Sequence, residues 1–217
     1  MDPSRFIAGI FVGGRSRRMN GIPKGLLQQS GQSLTLVEVL LGRLKNAGVG
    51  QVVLVGHHDA YLGLSIPTIR DSVNGEGPLS GLLALGEYAE EQRYDFVLAL
   101  ACDMPYIDDS LINHLIYDAE GATVLVPKRT FFEPLCARYH VNGILPHLYR
   151  QLSNRHYRMT SLLEALGDKC ATLSLLPTQL DSLDDWDCPR DVPKGVTYDG
   201  IPIERVIETG LPSETLE

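Results

Sequence analysis

A chain of 217 residues, 44% hydrophobic and 21% charged, is long enough to bury one sizeable core and too apolar to remain disordered. Its net charge of −8 argues against a uniformly basic nucleic-acid-binding surface, though not against a local basic pocket. No apolar run reaches bilayer length, and Met1-Asp2-Pro3-Ser4-Arg5 leads into a short apolar strand without a secretory signal, so a cytoplasmic protein with no membrane partner is expected.

Residues 5–12 (RFIAGIFV) are short, apolar and ended by glycines, which predicts a buried strand. A long loop follows over 13–33. Residues 34–46 carry a helical stripe of Leu36, Val37, Leu40, Leu41 and Leu44, with Gly48 as the stop. Strands are predicted at 51–56 and 66–70, a helix with proline in its first turn at 78–91, and a strongly apolar strand at 95–101. A helix over 108–120 and a strand over 122–127 continue the alternation. Near-continuous apolar strands between amphipathic helices imply an α/β fold, a mostly parallel sheet with helices on both faces. Beyond Pro127, strands are predicted at 134–139 and 171–176 and helices at 144–152 and 161–166. Residues 1–194 are expected to form a single domain and 195–217 a peripheral C-terminal tail. The cysteines Cys102, Cys136, Cys170 and Cys188 contain no C-x-x-C pair, which predicts reduced structural thiols.

The segment Val12-Gly13-Gly14-Arg15-Ser16-Arg17-Arg18 through Lys24 directly follows the first strand, at the sheet edge where open α/β folds bind ligands. Glycine N–H groups can approach phosphate oxygens, and the arginines with Lys24 supply charge for a triphosphate. Neither the G-x-x-x-x-G-K-[ST] spacing nor G-x-G-x-x-G occurs, so the loop is neither the usual P-loop nor the dinucleotide fingerprint. Asp103, in Cys102-Asp103-Met104-Pro105, ends the strand at 95–101 on the same edge, where a carboxylate suits Mg²⁺. Residues 71–81 link the short third strand to a helix N-terminus, with Gly77 and Gly81 permitting close approach.

Together these segments resemble the molybdenum cofactor guanylyltransferase family within the nucleoside-triphosphate transferases. The family's L-A-G-G-x-[SA]-x-R-M-G loop and following lysine are matched from Val12-Gly13-Gly14 through Arg18-Met19 to Lys24-Gly25-Leu26-Leu27. Its G-P-L-x-G is matched by Gly77-Pro78-Leu79-Ser80-Gly81, preceded by Asp71, and its C-D-x-P by Cys102-Asp103-Met104-Pro105. The resemblance implies a Rossmann-like fold of the nucleotide-diphospho-sugar transferase type. It also implies transfer of GMP from GTP to molybdopterin phosphate, with Mg²⁺ as cofactor and transient molybdoenzyme-maturation partners. It implies that Arg18, Lys24 and Asp103 are catalytic, with Asp103 also the metal ligand. Val12, Gly13, Gly14, Lys24, Asp71, Gly77, Gly81 and Asp103 would bind the nucleotide and metal, and Arg158, Asp185 and Asp187 the acceptor. Pro23 stands where the family usually has aspartate. Asp185-Trp186-Asp187-Cys188-Pro189 stands where it has N-x-N-T-P, so two hydrogen-bond donors are replaced by carboxylates that only accept.

An acceptor phosphate is already ionised at neutral pH, so in-line attack on the α-phosphorus needs no side-chain base. His57 and His58 read as surface residues, because neighbouring side chains on an extended chain point apart. Trp186 is expected to anchor the C-terminal segment, with lining of the acceptor pocket as the alternative. The acidic stretch Asp181, Asp184, Asp185 and Asp187 reads as a solvated face. Alternative readings are a transferase with CTP as donor or a sugar phosphate as acceptor, and a catalytically weak GTP-binding regulator.

Overall fold

The computed structural model of the chain describes residues 1–14, 16–70 and 77–209. In chain order its elements are β1 (Phe6–Phe11), β2 (Leu27–Gln28), α1 (Leu36–Asn46), β3 (Gln51–Val55), β4 (Thr68–Ile69) and α2 (Pro78–Glu91). There follow β5 (Phe96–Ala101), α3 (Asp109–Tyr117), β6 (Val124–Pro127), β7 (Cys136–His140), α4 (Val141–Ser153), α5 (Met159–Leu166) and β8 (Cys170–Leu173). Last come β9 (Thr197–Tyr198), β10 (Ile201–Pro202) and α6 (Ile203–Thr209).

Seven strands form one sheet in the order β4-β3-β1-β5-β7-β6-β8. All neighbours pair in parallel except β7, which runs antiparallel to both β5 and β6. The exception follows from chain length: residues 128–135 between β6 and β7 are too few for a crossover, so the chain turns back. Along β1, Phe6, Ala8 and Ile10 enter one core with Val37, Leu40, Leu44, Leu111 and Leu115 from α1 and α3. The alternate residues Ile7 and Phe11 enter the opposite core with Leu82, Leu85, Ile144 and Leu148 from α2 and α4. Both faces of the strand are therefore buried, which explains its unbroken apolar run.

Element ends differ from the sequence expectation for local reasons. Helix α1 starts at Leu36 rather than 34 because Thr35 caps it: the Glu38 N–H donates to Thr35 Oγ1 (3.3 Å), and the Thr35 N–H donates to Glu38 Oε2 (2.8 Å). Helix α3 ends at Tyr117 rather than 120. The fully buried Arg138 of β7 donates to the carbonyls of Leu115 (2.9 Å), Asp118 (2.8 Å) and Ala119 (2.8 Å), closing the helix end.

The stretch expected to be a peripheral tail departs from that expectation over 195–209. Strand β9 pairs antiparallel with both β2 and β10, joining Tyr198 to Leu27. A third core forms there from Met19, Ile22, Leu27, Leu36, Trp186, Val196, Tyr198, Ile203 and Val206. Isolated apolar residues in a stretch rich in glycine and proline gave no periodic signal, yet each finds the underside of the arginine-rich loop.

Candidate active site

Strands β1, β3 and β5 lie side by side, so the loops leaving their carboxyl ends share one edge. Gly13 and Gly56 form its floor. Gly56 has φ +99°, and a Cβ there would lie 2.8 Å from Gly13 Cα, so only glycine allows the two backbones to touch. Above this floor opens a cleft of about 1390 Å³, lined by Val12, Gly13, Gly14, Arg18, Lys24, Gly77, Asp103 and Asp187 among others. Arg17, Arg18, Lys24 and Arg70 outnumber Asp103 and Asp187 among its described lining residues, so the cleft is locally cationic in an acidic chain.

Lys24 is brought in by the 3-10 turn Lys24–Leu26. The turn packs so closely that a Cβ on Gly25 would lie 2.6 Å from Val37 Cγ2 and 2.9 Å from the Tyr61 hydroxyl. The Gly25 N–H donates to that hydroxyl (3.1 Å). From here Lys24 Nζ donates to Asp103 Oδ2 (2.8 Å) and Asp187 Oδ1 (2.7 Å), with only 12% of its side chain exposed. Arg18 reaches the second carboxylate oxygen, Asp187 Oδ2. Burial alone would lower the pKa of Lys24, but the charge and hydrogen bonds of Asp103 and Asp187 outweigh it and leave a net rise. The Lys24 hydrogen bond, opposed by burial and reinforced by Arg18, holds the Asp187 carboxyl below its usual value. Asp187 is held from behind: the backbone N–H of Trp186 donates to the Asp103 carbonyl (2.9 Å), and Trp186 is 2% exposed in the third core. The expected anchoring role of Trp186 is observed.

A second cavity of about 520 Å³ adjoins the first and shares Pro78, Ala101, Asp103 and Leu135 with it. Arg158, Tyr157 and Thr160 line it near the start of α5, and Glu133 and Asp185 also border it. Burial and the nearby Asp103 and Asp187 push the Asp185 carboxyl up, and burial with Asp185 does the same to Glu133. Cys102, next to Asp103, is pushed up to about 12 by burial and the Asp103 charge, which leaves it a neutral thiol rather than a nucleophile.

Of the residues singled out from sequence, Val12, Gly13, Gly14, Arg18, Lys24, Gly77, Asp103 and Asp187 line the main cleft, and Arg158 and Asp185 line the second. Gly81 lies buried in the first turn of α2 and lines neither cavity. Asp71 lies outside the described residues. His57 is exposed and His58 half-buried, in line with the surface reading, and both also line the main cleft. His57 Nε2 pairs with Asp59 Oδ1 (3.0 Å), and His58 Nδ1 accepts from the Ala60 N–H (3.3 Å). Their position directly after β3, on the ligand edge, was the available signal. Glu133 and Leu135, in the turn between β6 and β7, carried no comparable signal.

Carboxylates at a sheet edge suit a hard divalent cation held by one or two of them together with substrate phosphate oxygens. Asp103 fits that role, since Oδ2 binds Lys24 and Oδ1 makes no hydrogen bond among the described residues. Among those residues no group of three or more His, Cys, Asp or Glu is placed to hold a metal without a ligand's help. No helix among them is long and apolar enough to cross a membrane.

A probable molybdenum cofactor guanylyltransferase from Peptoclostridium acidaminophilum is 34% identical over 166 residues, 73% of this chain and 72% of that protein. Another, from Clostridium perfringens (strain SM101 / Type A), is 30% identical over 134 residues, 61% of this chain. There the matched stretch spans 64% of the relative's length. The solved molybdopterin-guanine dinucleotide biosynthesis protein A from Archaeoglobus fulgidus shares the fold, with a TM-score of 0.67 and 21% identity over 93% of this chain and 97% of that one. The profile of the MobA-like NTP transferase domain matches residues 8–170, which take in the glycine turn, Lys24 and Asp103 but not Asp187. On that match, the chain belongs to the MobA-like NTP transferase domain family.

Proposed function

We propose that this chain transfers GMP from GTP to the phosphate of molybdopterin, releasing pyrophosphate, with Mg²⁺ as cofactor. The observation that carries this reading is the meeting of Lys24 and Asp103 in one cationic cleft above the Gly13–Gly56 floor. A triphosphate needs such a combination of cations, backbone N–H groups and a carboxylate for a divalent metal. In the proposed reaction an acceptor phosphate oxygen attacks the α-phosphorus. A new phosphoanhydride bond forms, and the bond to the bridging oxygen breaks with its electron pair leaving on pyrophosphate. Lys24 and Arg18 stabilise the departing charge, and the chain holds donor and acceptor in line. Asp103 would hold Mg²⁺, which when bound supplies charge neutralisation at the phosphate oxygens. Gly13 and Gly14 would face the nucleotide, and the second cavity, with Arg158 at its rim, supports an acceptor site beside Asp103. The preference for GTP and for molybdopterin rests on the family and on the relatives' descriptions.

The reading is tested by measuring pyrophosphate release from a panel of the four ribonucleoside triphosphates with Mg²⁺ and molybdopterin phosphate. Release with GTP well above the other three is expected. Preference for CTP, or release only with a sugar phosphate, would assign a different donor or acceptor.

A further inference from the structure

The two cations best placed for a triphosphate both already grip a carboxylate of the same chain. Asp187 accepts from Lys24 through Oδ1 (2.7 Å) and from Arg18 through Oδ2, so each oxygen meets a different cation. A carboxylate with two oxygens so engaged uses the same donors as a phosphate group. The backbone on both sides of Asp187 is hydrogen-bonded. On one side Trp186 is buried and its N–H is bonded to the Asp103 carbonyl. On the other, the Cys188 N–H donates to Asp191 Oδ2 (2.8 Å). A polyphosphate arriving at Arg18 and Lys24 must therefore turn the Asp187 side chain aside.

We infer that Asp187 is an internal competitor that sets how tightly the cleft holds the polyphosphate end of its ligand and hastens the departure of pyrophosphate. The inference rests on the nucleotide-transfer reading only in taking a polyphosphate as the ligand. The competition has a benefit in the empty cleft, where Asp187 shares with Asp103 the task of keeping the largely buried Lys24 charged. The two contacts are unequal. Arg18 is 75% exposed and its pairing is screened by water, whereas the Lys24 contact is sheltered and dominates.

The test is calorimetric binding of inorganic pyrophosphate with excess Mg²⁺ at fixed ionic strength, backed by steady-state kinetics with GTP. Asp187→Asn keeps the shape and removes the charge, and is expected to bind pyrophosphate about fivefold to tenfold more tightly. KM for GTP should fall with no gain in kcat. Asp187→Glu restores the competitor and should stay within about twofold of the wild type. Asp184→Asn removes the same charge nearby from a carboxylate paired with Arg129, and should leave affinity unchanged. Should Asp187→Asn fail to fold, Asp187→Ser carries the same expectation. Unchanged or weaker pyrophosphate binding in the neutral variants, or equal tightening by Asp184→Asn, would overturn the inference. If the neutral variants tighten pyrophosphate while the wild type turns over no GTP, the competitor role stands and the guanylyl-transfer reading falls.

Discussion

The central sheet and the small core beneath the arginine-rich loop both bury their side chains, but the sequence records them very differently. In the sheet, buried strands such as β1 and β5 are continuous apolar runs, and their two faces meet α1 and α3 on one side and α2 and α4 on the other. In the small core, Met19, Ile22 and Leu27 meet Trp186, Tyr198, Ile203 and Val206 from the far end of the chain. The first kind of packing supplies the platform. The second decides where Lys24 and Arg18 stand, because it fixes the loop that bears them and presents Asp187 to them.

The sharpest way to break this division is Trp186→Ala. Emptying a site that is 2% exposed should cost about 3–5 kcal/mol. The loss should be local: hydrogen exchange should show faster exchange over 17–28 and 197–206 while β1 and β5 keep their protection. Equal loss of protection in the sheet would show the two cores to be one cooperative unit.

A smaller effect, chiefly on activity, is expected from Gly25→Ala. The new Cβ would press on Val37 and the Tyr61 hydroxyl and shift the turn bearing Lys24. Turnover should fall about tenfold, a misplacement effect, and the melting temperature by a few degrees, less than in Trp186→Ala. Unchanged turnover would mean that the position of Lys24 does not depend on this close packing.

The contrast explains what could be read from the chain and what could not. The sheet was legible at β1, β3 and β5 because fully buried strands write uninterrupted apolar runs such as FIAGIF and FVLALA. Asp103 was legible as a ligand-edge residue because it lies two residues after β5, and Lys24 because it sits in the basic loop that leaves β1. The tie of Asp187 to Arg18 and Lys24 was not, since nothing local at 185–188 records a partner more than 160 residues away. Strand β9 was invisible for a related reason: a two-residue strand has no period, and only pairing with β2 and β10 makes it one. Gly81, singled out with Gly77 from the same motif, lies buried in the first turn of α2 and, unlike Gly77, does not line the cleft.

The smallest expected effect is the pH dependence of the ion cluster. The folded pKa of Asp187 lies below its ordinary 3.8, so its stabilising contribution is present above that value and is lost as pH falls through the lower folded pKa. Lys24 is raised above its ordinary 10.5, so its contribution persists up to that value and is lost as pH rises through the higher folded one. The stability difference between the wild type and Asp187→Asn should be flat from near pH 5 to 9, with a magnitude under about 1 kcal/mol because Asp187 is partly solvated. It should vanish in acid. A midpoint near neutral pH would point to another titrating group.

The measurement that bears most directly on the account is Mg²⁺-dependent pyrophosphate release from GTP with molybdopterin phosphate, comparing the wild type with Lys24→Ala and Asp103→Asn. The account predicts turnover by the wild type and a loss of about 10²-fold or more in each variant, with folding intact by circular dichroism. Full turnover by either folded variant would contradict it.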